Sequence, residues 1–267
     1  MKFFKNSQFS RLGTVAAVLF TGAFFSQVAT ACVTDNWLGG TSGTLNPAQP
    51  DDMSDPAARY SGLCGLEVPG GQVAYVDDNS PGGIDRIRAR FYVLVDSTAN
   101  VFVYRGLNGG GSTVFDVLVN PNTNNVRLSS SGVNLTCAGC ANIGSWNSIE
   151  IDWDAGSGNM ELLVNGAGPA PVAFSSAETV SNVRLGNLNG AAGDLSFDSY
   201  ESRRTTEIGR LLVADANESG DVTGGDLAVI AGEILGNALA TGQPDCNESG
   251  DVTGADLSCT SAIILGL

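Results

Sequence analysis

Histidine is absent from this 267-residue chain, and lysine occurs only twice, as Lys2 and Lys5. Without imidazole the chain lacks the usual general base near neutral pH and the commonest nitrogen ligand for zinc. Cations as a whole are scarce, 13 Lys and Arg against 28 Asp and Glu, for a formal net charge of −15. Such a charge repels phosphate backbones and anionic lipid, which argues against nucleic acid and membrane surfaces as partners. Aromatics are few, and Trp37, Trp146 and Trp153 are the complete tryptophan set, which leaves little with which to line a sugar cleft. No segment after the N-terminal leader approaches eighteen uninterrupted apolar residues, so no membrane span is expected.

What is present begins with that leader. Lys2, Lys5 and Arg11 precede the run LGTVAAVLFTGAFF and the small triplet Ala29-Thr30-Ala31. This is the pattern of a secretory signal peptide over residues 1–31, and it predicts an exported protein. Cys32 directly follows the cleavage triplet, so a lipid-anchored N-terminus is the alternative. Anchoring would leave five cysteines, an odd number for an oxidising compartment. The mature chain carries ten arginines against 28 acids, a net charge near −18.

The six cysteines are Cys32, Cys64, Cys137, Cys140, Cys246 and Cys259. An even count in an exported chain favours three disulfides, although fifteen connectivities are open. Pairing neighbours gives 32 with 64, 137 with 140 and 246 with 259. The CAGC stretch has no second such pair and no histidine to complete a zinc site, so a loop-closing disulfide is expected there.

Between Cys32 and residue 206 the chain is rich in Gly, Asn and Ser and carries short alternating runs. IRARFYVLV, NVFVYRG, STVFDVLVN, NNVRLSS, SIEIDWD, MELLVNG, SNVRLGN and GDLSFDSYES are each of strand length and bounded by turn residues. Regular spacing of such runs predicts an antiparallel β-sandwich. Arg86, Arg88 and Arg90 alternate with Ile87, Ala89 and Phe91, so one wet and one dry face are expected for that strand. The order of the later runs, WNSIEIDWDAGSGNMELLVNG followed by VSNVRLGNLNGAAGDLSFDSYES, resembles the closing half of a laminin-G or concanavalin-A-like jelly roll. The resemblance implies that fold for residues 32–206 and leaves the ligand open.

Glu150, Asp152 and Asp154 lie at i, i+2 and i+4, so a strand projects all three from one face. Paired carboxylates of this kind suit a retaining glycosidase. The spacing is similar to the E-x-D-x-E strand of laminarinase- and lichenase-type hydrolases. That resemblance implies Glu150 as nucleophile, Asp152 as electrostatic helper and Asp154 as acid/base. Asp154 departs from the pattern, because aspartate is one methylene shorter than the usual glutamate. The plainer reading is one solvated strand face opposite Ile149, Ile151 and Trp153.

The chain then writes one dodecapeptide twice, DANESGDVTGGD from Asp215 and DCNESGDVTGAD from Asp245, with ten of twelve letters identical. Oxygen-bearing side chains fall at places one, three, five, nine and twelve: Asp215, Asn217, Ser219, Thr223 and Asp226, then Asp245, Asn247, Ser249, Thr253 and Asp256. Asp221 and Asp251 offer their carbonyls at place seven, and Gly220 and Gly250 make the turn at place six. This is the spacing of an EF-hand-type calcium loop and predicts two calcium ions. Magnesium suits a dedicated all-protein oxygen cage less well. TGGD and TGAD also form helix capping boxes leading into LAVIAGEILG and LSCTSAIILGL.

Aspartate at place twelve, and NALATGQP in place of a second entering helix, give residues 207–267 a resemblance to a type I dockerin. The resemblance implies non-covalent docking onto a cohesin-like module and attachment to extracellular polysaccharide-degrading assemblies. At the positions the family uses for cohesin recognition this chain has Gly224-Gly225 and Gly254-Ala255, then Ala231-Gly232 and Ser261-Ala262, with no basic surface. Leu227, Ile230 and Ile234 are expected to pack against Leu257, Ile263 and Ile264. With two carboxylates per loop among the ligands, affinity on the order of 10⁻⁴ to 10⁻⁵ M is expected. The overall expectation is a secreted, non-catalytic protein whose sandwich binds an extracellular glycan or protein, with a polysaccharide hydrolase as the alternative.

Overall fold

The computed structural model describes Thr34 and residues 37–48, 59–237 and 239–267. The leader, its cleavage triplet and Cys32 lie outside the described residues. Two seven-stranded antiparallel sheets make a sandwich. The first runs in the order β1 (Gly40–Ser42), β4 (Ala74–Asp78), β13 (Asn182–Asn187), β6 (Val101–Leu107), β7 (Thr113–Asn120), β8 (Asn125–Ser130) and β9 (Val133–Cys137). The second runs β12 (Val172–Ala173), β11 (Asn159–Val164), β10 (Trp146–Asp154), β5 (Arg86–Val95), β14 (Leu195–Arg203), β3 (Gly65–Val68) and β2 (Asn46–Ala48). Two short helices follow, α1 (Gly224–Ile234) and α2 (Gly254–Leu265).

Period-two alternation sends one set of side chains from each sheet into a shared core. Phe91, Phe115, Trp153, Phe197 and Met160 are all but completely buried there. Trp153 points inward, as its place opposite the three acids requires, and its indole N–H donates to Ser130 Oγ at 2.9 Å. Ser130 in turn donates to the Val114 carbonyl at 2.9 Å, so the one polar atom that the ring carries into the core is satisfied.

Cys137–Cys140 and Cys246–Cys259 are bonded as expected, each with a Cα–Cα distance of 5.8 Å. Cys64 is also disulfide-bonded, while its expected partner Cys32 falls outside the described residues. No helix among the described residues is long and apolar enough to cross a membrane.

The strand carrying Arg86, Arg88 and Arg90 corrects the expectation of a wet outer face. Arg90 is 7% exposed, because residues 59–62 and the C-terminal segment lie over the outer face of the second sheet. Tyr92 and Leu94 on that face join Trp146 and Tyr60 in a second apolar cluster, with Leu211 packed on it.

Candidate functional site

The two dodecapeptides fold into loops with the same internal hydrogen bonds. In the first, Asp215 accepts from the amides of Ser219 (2.9 Å) and Gly220 (2.8 Å), and Asp226 accepts from those of Asn217 (3.2 Å) and Thr223 (2.8 Å). In the second, Asp245 accepts from Ser249 (3.0 Å) and Gly250 (2.7 Å), and Asp256 from Asn247 (3.1 Å) and Thr253 (2.7 Å). Asn217 and Asn247 each accept from the serine two places on, and Ser219 and Ser249 donate to the carbonyls of Asp221 and Asp251. Gly220 and Gly250 turn at φ of 86° and 100°, a region glycine enters without steric cost. Both capping boxes form: Thr223 with Asp226 opens α1, and Thr253 with Asp256 opens α2.

Each loop therefore closes on itself through hydrogen bonds of the side chains that the spacing singled out. The first and last aspartates are buried, Asp215 to 8%, Asp245 to 3%, and Asp226 and Asp256 to 0% exposure. None of the four forms an ion pair with an arginine among the described residues. Buried carboxylates without a counter-charge are costly, so this donor set fits a hard cation. Burial, opposed by the Gly250 amide and reinforced by the charge of Asp256, pushes the Asp245 carboxyl up to about 7. No three His, Cys, Asp or Glu side chains converge closely enough to hold a metal by themselves among the described residues. A cation held here would depend on the amide, hydroxyl and carbonyl oxygens as much as on the acids.

The helices meet through a small seam. Ile230 is buried with Ala216 and Ala240, and Val229, Ile234, Val252 and Leu257 pack around them. Leu227, Ile263 and Ile264, which the sequence placed in this seam, do not join it, and the two isoleucines stay 45% and 38% exposed. Full burial along α2 ends at Thr260, one turn short of them, so the helix outruns its packing partner.

The loops are alike in sequence and unlike in surroundings. A Cβ added at Gly220 would meet nothing, whereas one at Gly250 would stand 3.1 Å from Leu94 of the sandwich. Glu218, at place four of the first loop, is exposed. Its counterpart Glu248 accepts a hydrogen bond from the Tyr60 hydroxyl at 2.7 Å and pairs with Arg210, and its carbonyl accepts from the Trp146 amide at 3.1 Å. Tyr60 stacks on Tyr92 at 3.7 Å, with Trp146 edge-on at 5.8 Å. Nearby, Arg59 pairs with Glu233 of α1, both side chains less than a tenth exposed, and Glu233 also accepts from the Ala240 amide at 2.6 Å. Asp198 of β14 holds the same segment from below, accepting from the amides of Tyr60 (2.5 Å) and Ser61 (2.8 Å). Burial outweighs those hydrogen bonds and pushes its carboxyl up to about 6. Sequence reasoning missed Glu248, Tyr60 and Arg59, because contacts 188 and 174 residues apart leave no local spacing to read.

Glu150, Asp152 and Asp154 do share one face, alternating with the buried Ile149, Ile151 and Trp153. Register sets them directly opposite Arg90, Arg88 and Arg86 of β5. Asp152 accepts from Arg86 (2.6 and 3.0 Å) and Arg88 (2.8 Å), and Asp154 pairs with Arg86 at 3.2 Å. Glu150 is half-buried in a cleft of about 320 Å³, covered by residues 207–210. Burial raises its pKa, opposed by the Gly209 amide and by Arg90 and Arg210. Two of the three acids are thus held by arginines as ladder rungs, and hydrogen bonds from Ser157, with the charge of Arg86, outweigh burial and hold the Asp154 carboxyl below its usual range.

No family model and no curated protein matches the sequence. Among solved structures the chain is similar to a cellulose induced protein, Cip1, at 14% identity and a TM-score of 0.46, over 64% of this chain and 88% of that one. It is similar to a SAP-like pentraxin from Limulus polyphemus at 14% identity and 0.44, over 53% and 77% of the two chains. It is similar to the alginate lyase AlyC3 at 8% and 0.40, over 52% and 74%. Likenesses at these scores transfer no residue and no activity.

Proposed function

We propose that this is a secreted, non-catalytic glycan-binding sandwich whose C-terminal loops hold two calcium ions. The observation that carries the calcium reading is the duplicated loop whose first and last aspartates are buried without a cationic partner. Asp215, Asn217, Ser219, Asp221, Thr223 and Asp226 would hold one ion, and Asp245, Asn247, Ser249, Asp251, Thr253 and Asp256 the other. A bound divalent ion supplies the counter-charge these acids lack, so its binding free energy becomes folding free energy of the tail. Export is supported by the leader sequence and the disulfides, which persist in oxidising compartments.

A dockerin-like role implies a cohesin-like partner. The positions that would meet it, Gly224, Gly225, Gly254 and Ala255, are exposed but carry no polar side chain. Our reading is that the module works on its own chain and clamps the outer face of the second sheet. A hydrolase using Glu150 and Asp154 is disfavoured by the arginines that occupy Asp152 and Asp154.

Calorimetric titration of the full chain with calcium tests the metal reading. Two ions are expected for the wild type, one for Asp245→Ala, and none for Asp215→Ala combined with Asp245→Ala. Unchanged uptake in the double variant overturns it. The glycan reading is tested separately by binding to immobilised polysaccharides.

A further inference from the structure

The outer face of the first sheet repeats the chemistry of the arginine ladder and leaves it open. Cross-strand register lines up Asp77 (β4), Arg184 (β13), Arg105 (β6), Asp116 (β7), Ser129 (β8) and Asn134 (β9) in one row. Five strand spacings make that row about 24 Å long. Arg127 stands beside it, opposite Leu118 and two residues from Ser129 on the same face.

The arginines are positioned but under-used. Arg184 is bound to Asp77 at 2.8 Å and lies over the Tyr75 ring at 4.4 Å. Arg105 lies over Phe102 at 5.2 Å, and Asp116, the acid facing it, is 3.9 Å away. The Arg127 guanidinium makes neither an ion pair nor a hydrogen bond among the described residues. Arg105 Nε, Arg127 Nε and Asp116 Oδ1 are all buried without a hydrogen-bond partner. Those atoms are closed to solvent, so a ligand would meet the outer guanidinium nitrogens, as at Arg105, whose side chain is 24% exposed. The second sheet is the contrast. There Arg86, Arg88 and Arg90 meet acids at 2.6–3.2 Å, and Arg88 and Arg90 also donate to the Thr205 and Gly209 carbonyls of the C-terminal segment, although Arg90 Nε is left without a partner too.

We infer that this row is a binding track for an acidic polysaccharide, with Arg105 and Arg127 receiving uronate carboxylates and Ser129 and Asn134 pairing with sugar hydroxyls. This rests on the glycan-binding reading and names its ligand class. Guanidinium presents a planar fork that matches a carboxylate, and the Phe102 and Tyr75 rings lie within cation–π range of Arg105 and Arg184. The negative charge of the rest of the protein is screened beyond about 8 Å at physiological salt, so docking depends on the local balance, Arg184, Arg105 and Arg127 against Asp77 and Asp116. A peptide would pair with a sheet through its edge, whereas this track crosses strands on the face.

The test is calorimetry on the full chain at fixed calcium with three probes: hexagalacturonate, neutral cellohexaose and hexaglutamate. Hexagalacturonate is expected to bind at least tenfold tighter than either control and to weaken with added salt. Arg105→Gln and Arg127→Gln should each cost tenfold or more, and Arg127→Lys should be intermediate because it keeps charge and loses the fork. Arg203→Gln, remote from the track, should bind as the wild type does. If circular dichroism shows that a Gln variant is unfolded, the probe ranking and Arg127→Lys decide. Equal binding of cellohexaose, or wild-type affinity in folded Arg105→Gln and Arg127→Gln, overturns the track and leaves glycan binding standing. Preference for hexaglutamate overturns it in favour of a peptide ligand, and no binding of either sugar overturns both readings.

Discussion

The hydroxyl of Tyr60 donates to Glu248 Oε1 at 2.7 Å, joining the start of the sandwich to the second loop across 188 residues. Arg210 converges on the same carboxylate. The pair fixes the second loop against the second sheet while its twin faces solvent.

Glu248→Ala should therefore lower stability by about 1.5–3 kcal/mol, the range for hydrogen bonds to a charged group. Glu218→Ala, the same change at the same place in the exposed loop, should stay within about 0.5 kcal/mol of wild type. Urea denaturation of the two variants side by side checks the asymmetry; equal losses would refute it.

Trp146 should report on the metal. Its amide donates to the Glu248 carbonyl and its ring packs against Tyr60, so loosening of the second loop reaches it directly. Chelator is expected to red-shift the intrinsic emission of the wild type and to leave Trp146→Phe unmoved. A shift that persists in that variant points to Trp37 or Trp153 instead.

Asp198 sets a pH dependence. Its folded carboxyl is raised from 3.8 to about 6, so the folded state binds the proton more tightly than the unfolded chain does. Stability from this group is complete below pH 4 and is lost as pH rises toward 6, on the order of 3 kcal/mol in all. The difference between wild type and Asp198→Asn, measured by denaturation from pH 4 to 8, should follow that fall. A flat difference would mean that Asp198 titrates at its ordinary value.

The arginine ladder on the second sheet predicts a structural phenotype and no catalytic one. Asp152→Ala leaves Arg86 and Arg88 without their shared carboxylate and should cost about 1–2 kcal/mol, since the pair is only partly buried. The wild-type protein should release no reducing ends from β-glucans, and reducing-sugar release that disappears in Glu150→Gln would restore the hydrolase reading.

Much of the architecture was legible because strands announce themselves by alternation. IRARFYVLV and SIEIDWD became β5 and β10 with the predicted alternation, though the outer face of β5 is covered and not wet, and both capping boxes formed where Thr223 and Thr253 stand. The three-residue strands β1 and β2 escaped notice, being too short and too polar to show a period. The acids of β10 and the arginines of β5 were each read correctly as one face of a strand. That they face each other depends on register between segments some sixty residues apart, which neither segment encodes alone. The turns and caps of the loops were readable because their hydrogen bonds lie within one chain segment. The docking of the second loop was not, since Glu248 differs from Glu218 in nothing but its neighbours.

That docking bears on how the protein is best handled. Cutting the chain near residue 206 to isolate the sandwich would strip the cover from Tyr60, Tyr92, Leu94 and Trp146. A contiguous aromatic patch laid bare on a sheet face is an invitation to self-association. The truncated fragment should run as oligomers in size-exclusion chromatography, and any avidity it then showed for a polymer would be an artefact of the cut.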